Sequence, residues 1–324
     1  MATTITRRSA LAGLSALSVG AAHPVRAQSA RPITLIHGFT PGANVDITAR
    51  LVADGLSRRL GQPFVVEPRP GAGGTTAAAA VARAAPDGLT LAALPSGHAV
   101  SPALYKRLPY NAVDDFTFIS MLTENPFILV TSLDHPAKTV ADVLKSAQAE
   151  PGKLTCATAG NGTGMHLALE LLSSMGKVKI QHVPYRGSPQ GITDLIAGRV
   201  DFQMDTPQFL LTLLREKKVR ALAVTGPSRF FALPDVPTVA ESGLPGYSVT
   251  GWLGLAGPPG LPKDFVERVN AEVKALLAEP EAIARLRALG ADVKPTTPEG
   301  YKKRVADDIV KWTKVIADAN IPRI

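Results

Sequence analysis

One cysteine, Cys156, occurs in 324 residues, which excludes an intrachain disulfide framework and any cysteine-rich metal site. Aromatic residues make up only 5%, and no basic run carries interleaved aromatics. The formal net charge of +8 would suit anionic partners, but the scarcity of aromatics argues against nucleic acid. The six histidines (His23, His37, His98, His135, His166 and His182) show neither HExxH nor His-x-His spacing, so no metal is expected. No Gly-x-Ser-x-Gly elbow and no P-loop Gly-Lys-Ser/Thr are present, and GNGTG is not the dinucleotide fingerprint, so no cofactor is expected. Later than residue 27, no apolar run approaches the roughly eighteen residues of a membrane span. What is present is a globular balance, 45% hydrophobic and 19% charged, in a chain long enough for two domains.

The first 27 residues read as an address. Arg7 and Arg8 give a basic start, Ala10 to Ala22 is apolar and uncharged, and Val25-Arg26-Ala27 places small residues before a cut. That apolar stretch is too short to cross a hydrocarbon core of ~30 Å. The reading is a secretory signal, cleaved after Ala27 and followed by a soluble, exported protein. The Arg7-Arg8 pair leaves both the general secretory and the twin-arginine routes open. A lone cysteine agrees with an oxidising compartment, because it has no partner in the chain to mispair with.

Strand and helix patterns then alternate. Pro32 to His37 is a short β-branched run, and from Asp46 the positions Ile47, Leu51, Val52, Leu56 and Leu60 recur at helical spacing before a stop at Gly61. Strands are predicted at Val65-Val66, Leu89 to Leu94, Lys153 to Thr158, Lys179 to Val183, Val200 to Met204, Val219 to Val224 and Tyr247 to Ala256. Helices are predicted over Thr75 to Ala85 and Met165 to Met175, and from Ser188 as N-cap to Ala197. The stretch from Lys263 to Ala319 reads as mostly helical. Strands alternating with helices predict an α/β architecture with mostly parallel sheets.

Open α/β sheets bind ligands where strands end and helices begin. Two loops have that position and are rich in small residues: Phe39 to Asp46, and Ala159 to Gly164. Each opens a helix, so free N–H groups and a partial positive charge would favour a carboxylate, although either alone could be an ordinary turn. Asp205, at a strand's carboxyl end, either caps the helix from Pro207 or accepts a ligand N–H or hydroxyl. His166 is either a packed histidine or a ligand donor, and Asp46 and Arg50 can pair at i, i+4. An enzyme would have to draw on Cys156, His166 and Asp205, but Cys156 sits in an apolar strand and reads as a buried thiol.

Several motifs in series resemble the Bug-type substrate receptors of tripartite tricarboxylate transporters. They include Pro41-Gly42 with Asp46-x-x-Ala49-Arg50, Arg69-Pro70-Gly71-Ala72-Gly73-Gly74, Ala85-Pro86-Asp87-Gly88-Leu89-Thr90-Leu91 and Leu108-Pro109-Tyr110. His182-Val183-Pro184-Tyr185-Arg186-Gly187, Asp194 to Asp201 and Leu233 to Gly243 continue the series, which covers the chain from about Arg31 onward.

The resemblance implies a two-lobed, type II periplasmic-binding (Venus flytrap) fold, each lobe a mostly parallel sheet flanked by helices. It implies one lobe from 28–125 and 252–324, and the other from 126–251. It also implies a monomeric, non-enzymatic receptor that holds a small organic acid and delivers it to a membrane permease, or senses it for a membrane partner. Carried over by position, the ligand contacts are Phe39, Thr40, Pro41, Gly42, Ala43, Asn44 and Asp46 in the first lobe, with Ser96 and His98 as additions. In the second lobe they are Gly160, Asn161, Gly162, Thr163, His166 and Asp205. Thr40, Ala43 and Asn44 stand where the family has proline and two glycines, so the identity of the acid stays open.

Overall fold

The computed structural model describes residues 31–185 and 187–324. The export-signal reading of residues 1–27 lies outside the described residues.

The first part of the chain alternates as the hydrophobic pattern predicts. It runs β1 (Ile33–His37), α1 (Asn44–Leu60), β2 (Phe64–Pro68), α2 (Thr75–Ala82), β3 (Thr90–Pro95) and α3 (Gly97–Leu104). Helix α1 stops where Gly61 turns left-handed and its N–H closes on the Ser57 carbonyl. The long β4 (Thr117–Pro126) passes into β5 (Ile128–Thr131), the entry to a second sheet. There follow α4 (Val140–Ala149), β6 (Thr155–Thr158), α5 (Gly164–Gly176), β7 (Gln181–Pro184), α6 (Ser188–Ile196), β8 (Phe202–Asp205), α7 (Pro207–Arg215) and β9 (Arg220–Val224). The chain returns through β10 (Thr250–Gly257) to α8 (Lys263–Leu276), α9 (Pro280–Ala288), β11 (Asp292–Val293) and α10 (Pro298–Asp318). Among the described residues no helix is long and apolar enough to cross a membrane.

The strands form two sheets, ordered β11-β4-β10-β3-β1-β2 and β7-β6-β8-β5-β9. β4 runs the same way as β1, β2 and β3, and β9 the same way as β6, β7 and β8. Each sheet is therefore mostly parallel, as expected, with β10 and β11 reversed in the first and β5 in the second. β1 pairs parallel with β2 and β3, and β6 with β7 and β8, as the strand–helix alternation requires. The strands that carry the chain between the sheets run against their neighbours: β10 is antiparallel to β3 and β4, and β5 to β8 and β9. One correction concerns α6. Gly187, not Ser188, precedes its first turn, and no side chain caps it. The Ser188 hydroxyl is engaged by Asp205 instead.

Helices cover both faces of each sheet, so β1 and β3 are apolar on both faces. On one face of the first sheet, Ile33, Leu35, Leu91 and Leu255 pack with Val52 and Leu56 of α1 and Val269 and Val273 of α8. A further buried cluster runs without a break from Leu94 and Tyr301 beside the first sheet to Leu129, Leu167 and Phe202 of the second. Buried Thr225 links the two connections. The Phe127 N–H donates to its Oγ1 at 2.7 Å, and its hydroxyl donates to the Val249 carbonyl at 2.7 Å.

Candidate functional site

A cleft of about 430 Å³ lies between the two sheets. Five helices begin on its wall: α1 at Ala43–Val45, α3 at Ser96–Gly97, α5 at Thr163–Met165, α6 at Gly187–Ser188 and α7 at Thr206. The order of strands and helices dictates this, because each of these helices follows a strand whose carboxyl end faces the gap. Helices α1, α3, α6 and α7 have no side-chain cap. Only α5 is capped, by the Thr163 hydroxyl oxygen accepting the His166 N–H. First-turn N–H groups therefore face the cleft, each helix end worth ~0.3–1 kcal/mol toward an anion. None of the described residues lining the cleft is charged. Phe39, Val100, Leu104, Phe127, Met165 and Trp252 supply apolar wall, and Asn44, Ser96 and Asn161 supply polar side chains.

Each glycine-bearing loop is braced from behind by an imidazole. In the first, His37 Nδ1 accepts the Phe39 N–H at 3.3 Å, so its proton is on Nε2, 2.9 Å from Asp46 Oδ1. Asp46 Oδ2 accepts the Gly42 N–H at 2.9 Å and Arg50 Nε–H at 3.0 Å. Burial pushes the Asp46 carboxyl up, but the hydrogen bonds from Arg50, Gly42 and His37 outweigh it and hold it at about 2. In the second loop, His166 Nδ1 accepts the Gly162 N–H at 3.1 Å.

Of the residues expected at the site, Phe39, Ala43, Asn44, Ser96, Asn161, Gly162 and Thr163 line the cleft. Thr40, Pro41 and Gly42 form an exposed turn outside its wall, and Gly160 sits below, its carbonyl accepting the Thr163 hydroxyl. Asp46 and His166 lie behind the loops and shape them. Asp205 is buried beneath α6 and α7, accepting the Gln203 side-chain N–H and the Thr206 N–H, each at 2.7 Å. Burial raises its carboxyl above the usual range.

His98 is corrected from ligand contact to core. Its ring stacks on Tyr110, meets the edge of Phe116 and places Nε2 2.8 Å from the Ala112 carbonyl. Burial lowers its pKa to about 4 and leaves it neutral.

Sequence reasoning missed several lining residues. Ser188 and Thr206 follow β7 and β8, so the strand-end rule applied to every strand would have found them. Phe127, Trp252 and Tyr105 carry no local signal, because folding alone brings them to the gap.

A family model described as "Tripartite tricarboxylate transporter family receptor" matches residues 48–321. A UPF0065 protein from the tcbD-tcbE intergenic region of Pseudomonas sp. (strain P51) is 38% identical over 97% of this chain and 95% of its own. BugT of Bordetella pertussis is 32% identical over 97% of this chain and 98% of its own. The solved structure of R. palustris Rpa4515 with adipate superposes with a TM-score of 0.81 at 34% identity, covering 91% of this chain and 99% of that one. With the two-lobed fold and the matched residues in agreement, the chain belongs to the tripartite tricarboxylate transporter receptor family.

Proposed function

We propose that this chain is a periplasmic receptor that captures a small organic carboxylate between its lobes and delivers it to a tripartite-type permease. One lobe comprises 28–125 and 252–324, the other 126–251, and the receptor works as a monomer. The observation that carries the reading is the convergence of five helix starts on one cleft whose described wall residues are uncharged. Adipate in the R. palustris relative supports the ligand class. Five helix ends at ~0.3–1 kcal/mol each fall short of the about −8.2 kcal/mol of a micromolar complex. Hydrogen bonds from Asn44, Ser96 and Asn161, bridging waters and burial of the ligand's carbon body against Phe39, Phe127 and Trp252 supply the remainder.

Turnover is disfavoured by the chemistry of the available groups. The Cys156 thiol is fully buried, and burial pushes its pKa well up, so it is no nucleophile. His166 and Asp205 are both engaged in holding backbone N–H groups.

A thermal-shift screen of small mono-, di- and tricarboxylates, followed by calorimetry on the hits, tests the reading. At least one carboxylate should stabilise the protein and bind with about one-to-one stoichiometry. Stabilisation by amines or neutral solutes alone would refute it.

A further inference from the structure

The loop between β6 and α5 is held by two stacked imidazoles. The rings of His166 and His182 lie 3.9 Å apart with planes 16° from parallel. His166 Nδ1 accepts the Gly162 N–H at 3.1 Å. His182 Nε2 lies 2.6 Å from Thr158 Oγ1, the same oxygen that accepts the Gly160 N–H at 3.3 Å. One ring grips Gly162 directly and the other grips Gly160 through a hydroxyl, and Asn161 and Gly162 are cleft wall.

A ring nitrogen that accepts an N–H bears no proton, so His166 is neutral and its proton sits on Nε2, facing Glu170 Oε1 at 3.5 Å. We infer that His166 is a positioning residue that holds the glycine loop only as a neutral imidazole, so that its protonation releases Gly162 and weakens ligand capture. This rests on the cleft reading proposed above.

The reason is geometric. A proton on Nδ1 would point at the Gly162 N–H, two donors face to face, and the bond that shapes the loop would be lost. Among the groups around the ring, Glu170, on the same helix, faces Nε2. His182, from β7, is held down at about 3 by burial and by the neighbouring His166, so it adds no charge. Leu104 of α3 and Asn320 and Ile321 beyond α10 share the cavity behind the ring and carry none either. The Gly162 amide makes the imidazolium incompatible with the formed loop.

The test begins without ligand. Nitrogen-15 labelled protein is titrated from about pH 8 to about pH 5.5, the range in which an imidazole changes charge. The Gly162 amide resonance should shift with the same midpoint as the His166 ring. In His166→Asn, whose side-chain carbonyl can still accept the Gly162 N–H but cannot titrate, that resonance should stay in place. Calorimetry with adipate as probe should then give about tenfold weaker binding at the acid end in wild type, and less than about threefold in His166→Asn. The ligand's own titration is common to both proteins and cancels in the comparison. A Gly162 resonance indifferent to His166, or identical affinity profiles in the two proteins, would overturn the inference. If adipate binds neither protein, the ligand class is at fault, and the Gly162 resonance alone accepts or rejects the role of His166.

Discussion

Gly162 of the second lobe faces Leu104 of the first so closely that a Cβ on Gly162 would stand 2.1 Å from Leu104 Cδ2. The two residues share the cleft wall, so the glycine loop and the end of α3 meet where the lobes approach each other. Gly162 also has φ +72°, a left-handed conformation that other residues adopt only at a cost of ~1 kcal/mol.

Gly162→Ala should therefore weaken ligand binding by about tenfold or more, since the methyl both strains the loop and displaces Leu104. Leu104→Ala in the same chain should restore part of the loss by opening space. Calorimetry on the two single variants and the double variant reads this. A double variant no better than Gly162→Ala would show that loop strain dominates.

Asp46 gives a pH signature. Its carboxyl sits at about 2 in the fold against an ordinary 3.8, so it stabilises the protein above about pH 4 and loses that contribution as pH falls through about 2. The contribution is about 2 kcal/mol. Asp46→Asn should be less stable than wild type by roughly this amount near neutrality in urea denaturation. The difference should shrink as pH falls below about 4 and close only below about 2, where wild type loses the same charge.

Arg304 bridges the lobe connections from α10. It donates to Glu124 Oε1 at 2.7 Å, to Thr250 Oγ1 at 2.8 Å and to Asp308 Oδ2 at 3.0 Å, while Asp308 also accepts the Trp252 indole N–H at 2.7 Å. Arg304→Ala would remove the guanidinium that both carboxylates share, leaving Glu124 only the more distant Lys294 at 3.8 Å. It should cost about 2–3 kcal/mol in urea denaturation, the lower end for a buried pair because the guanidinium is 26% exposed.

Asn44 opens α1 on the cleft wall, and its Oδ1 accepts the Thr48 hydroxyl at 3.3 Å, leaving its amide N–H groups free to reach a ligand. Asn44→Leu should weaken carboxylate binding by about three- to tenfold, with a melting temperature close to wild type. Unchanged affinity would remove Asn44 from the site.

Much of this was legible in the sequence, in proportion to how local each signal is. Apolar spacing located α1 from Ile47 to Leu60, and the glycine-rich turns after β1 and β6 marked both loops. The direction of β5 and β10 was not legible, because the antiparallel pairing of each within its own sheet depends on contacts far apart in sequence. At the site, residue type alone did not separate a ligand contact from its support. His98, His166, Asp46 and Asp205 have the chemistry of binding groups, yet each turns away from the gap to satisfy buried backbone or side-chain partners. Among the described residues, an uncharged cleft wall backed by buried polar braces follows from that division of labour.

Thr225 ties Phe127 to Val249, so the two strands that join the halves run abreast through a single knot. Such a joint permits swinging about one line and resists shearing or twisting. In the proposed receptor, filling the gap and changing the outline of the molecule would then be a single event. Any partner that recognises how the halves are set against each other thereby learns whether cargo is aboard, without touching the cargo.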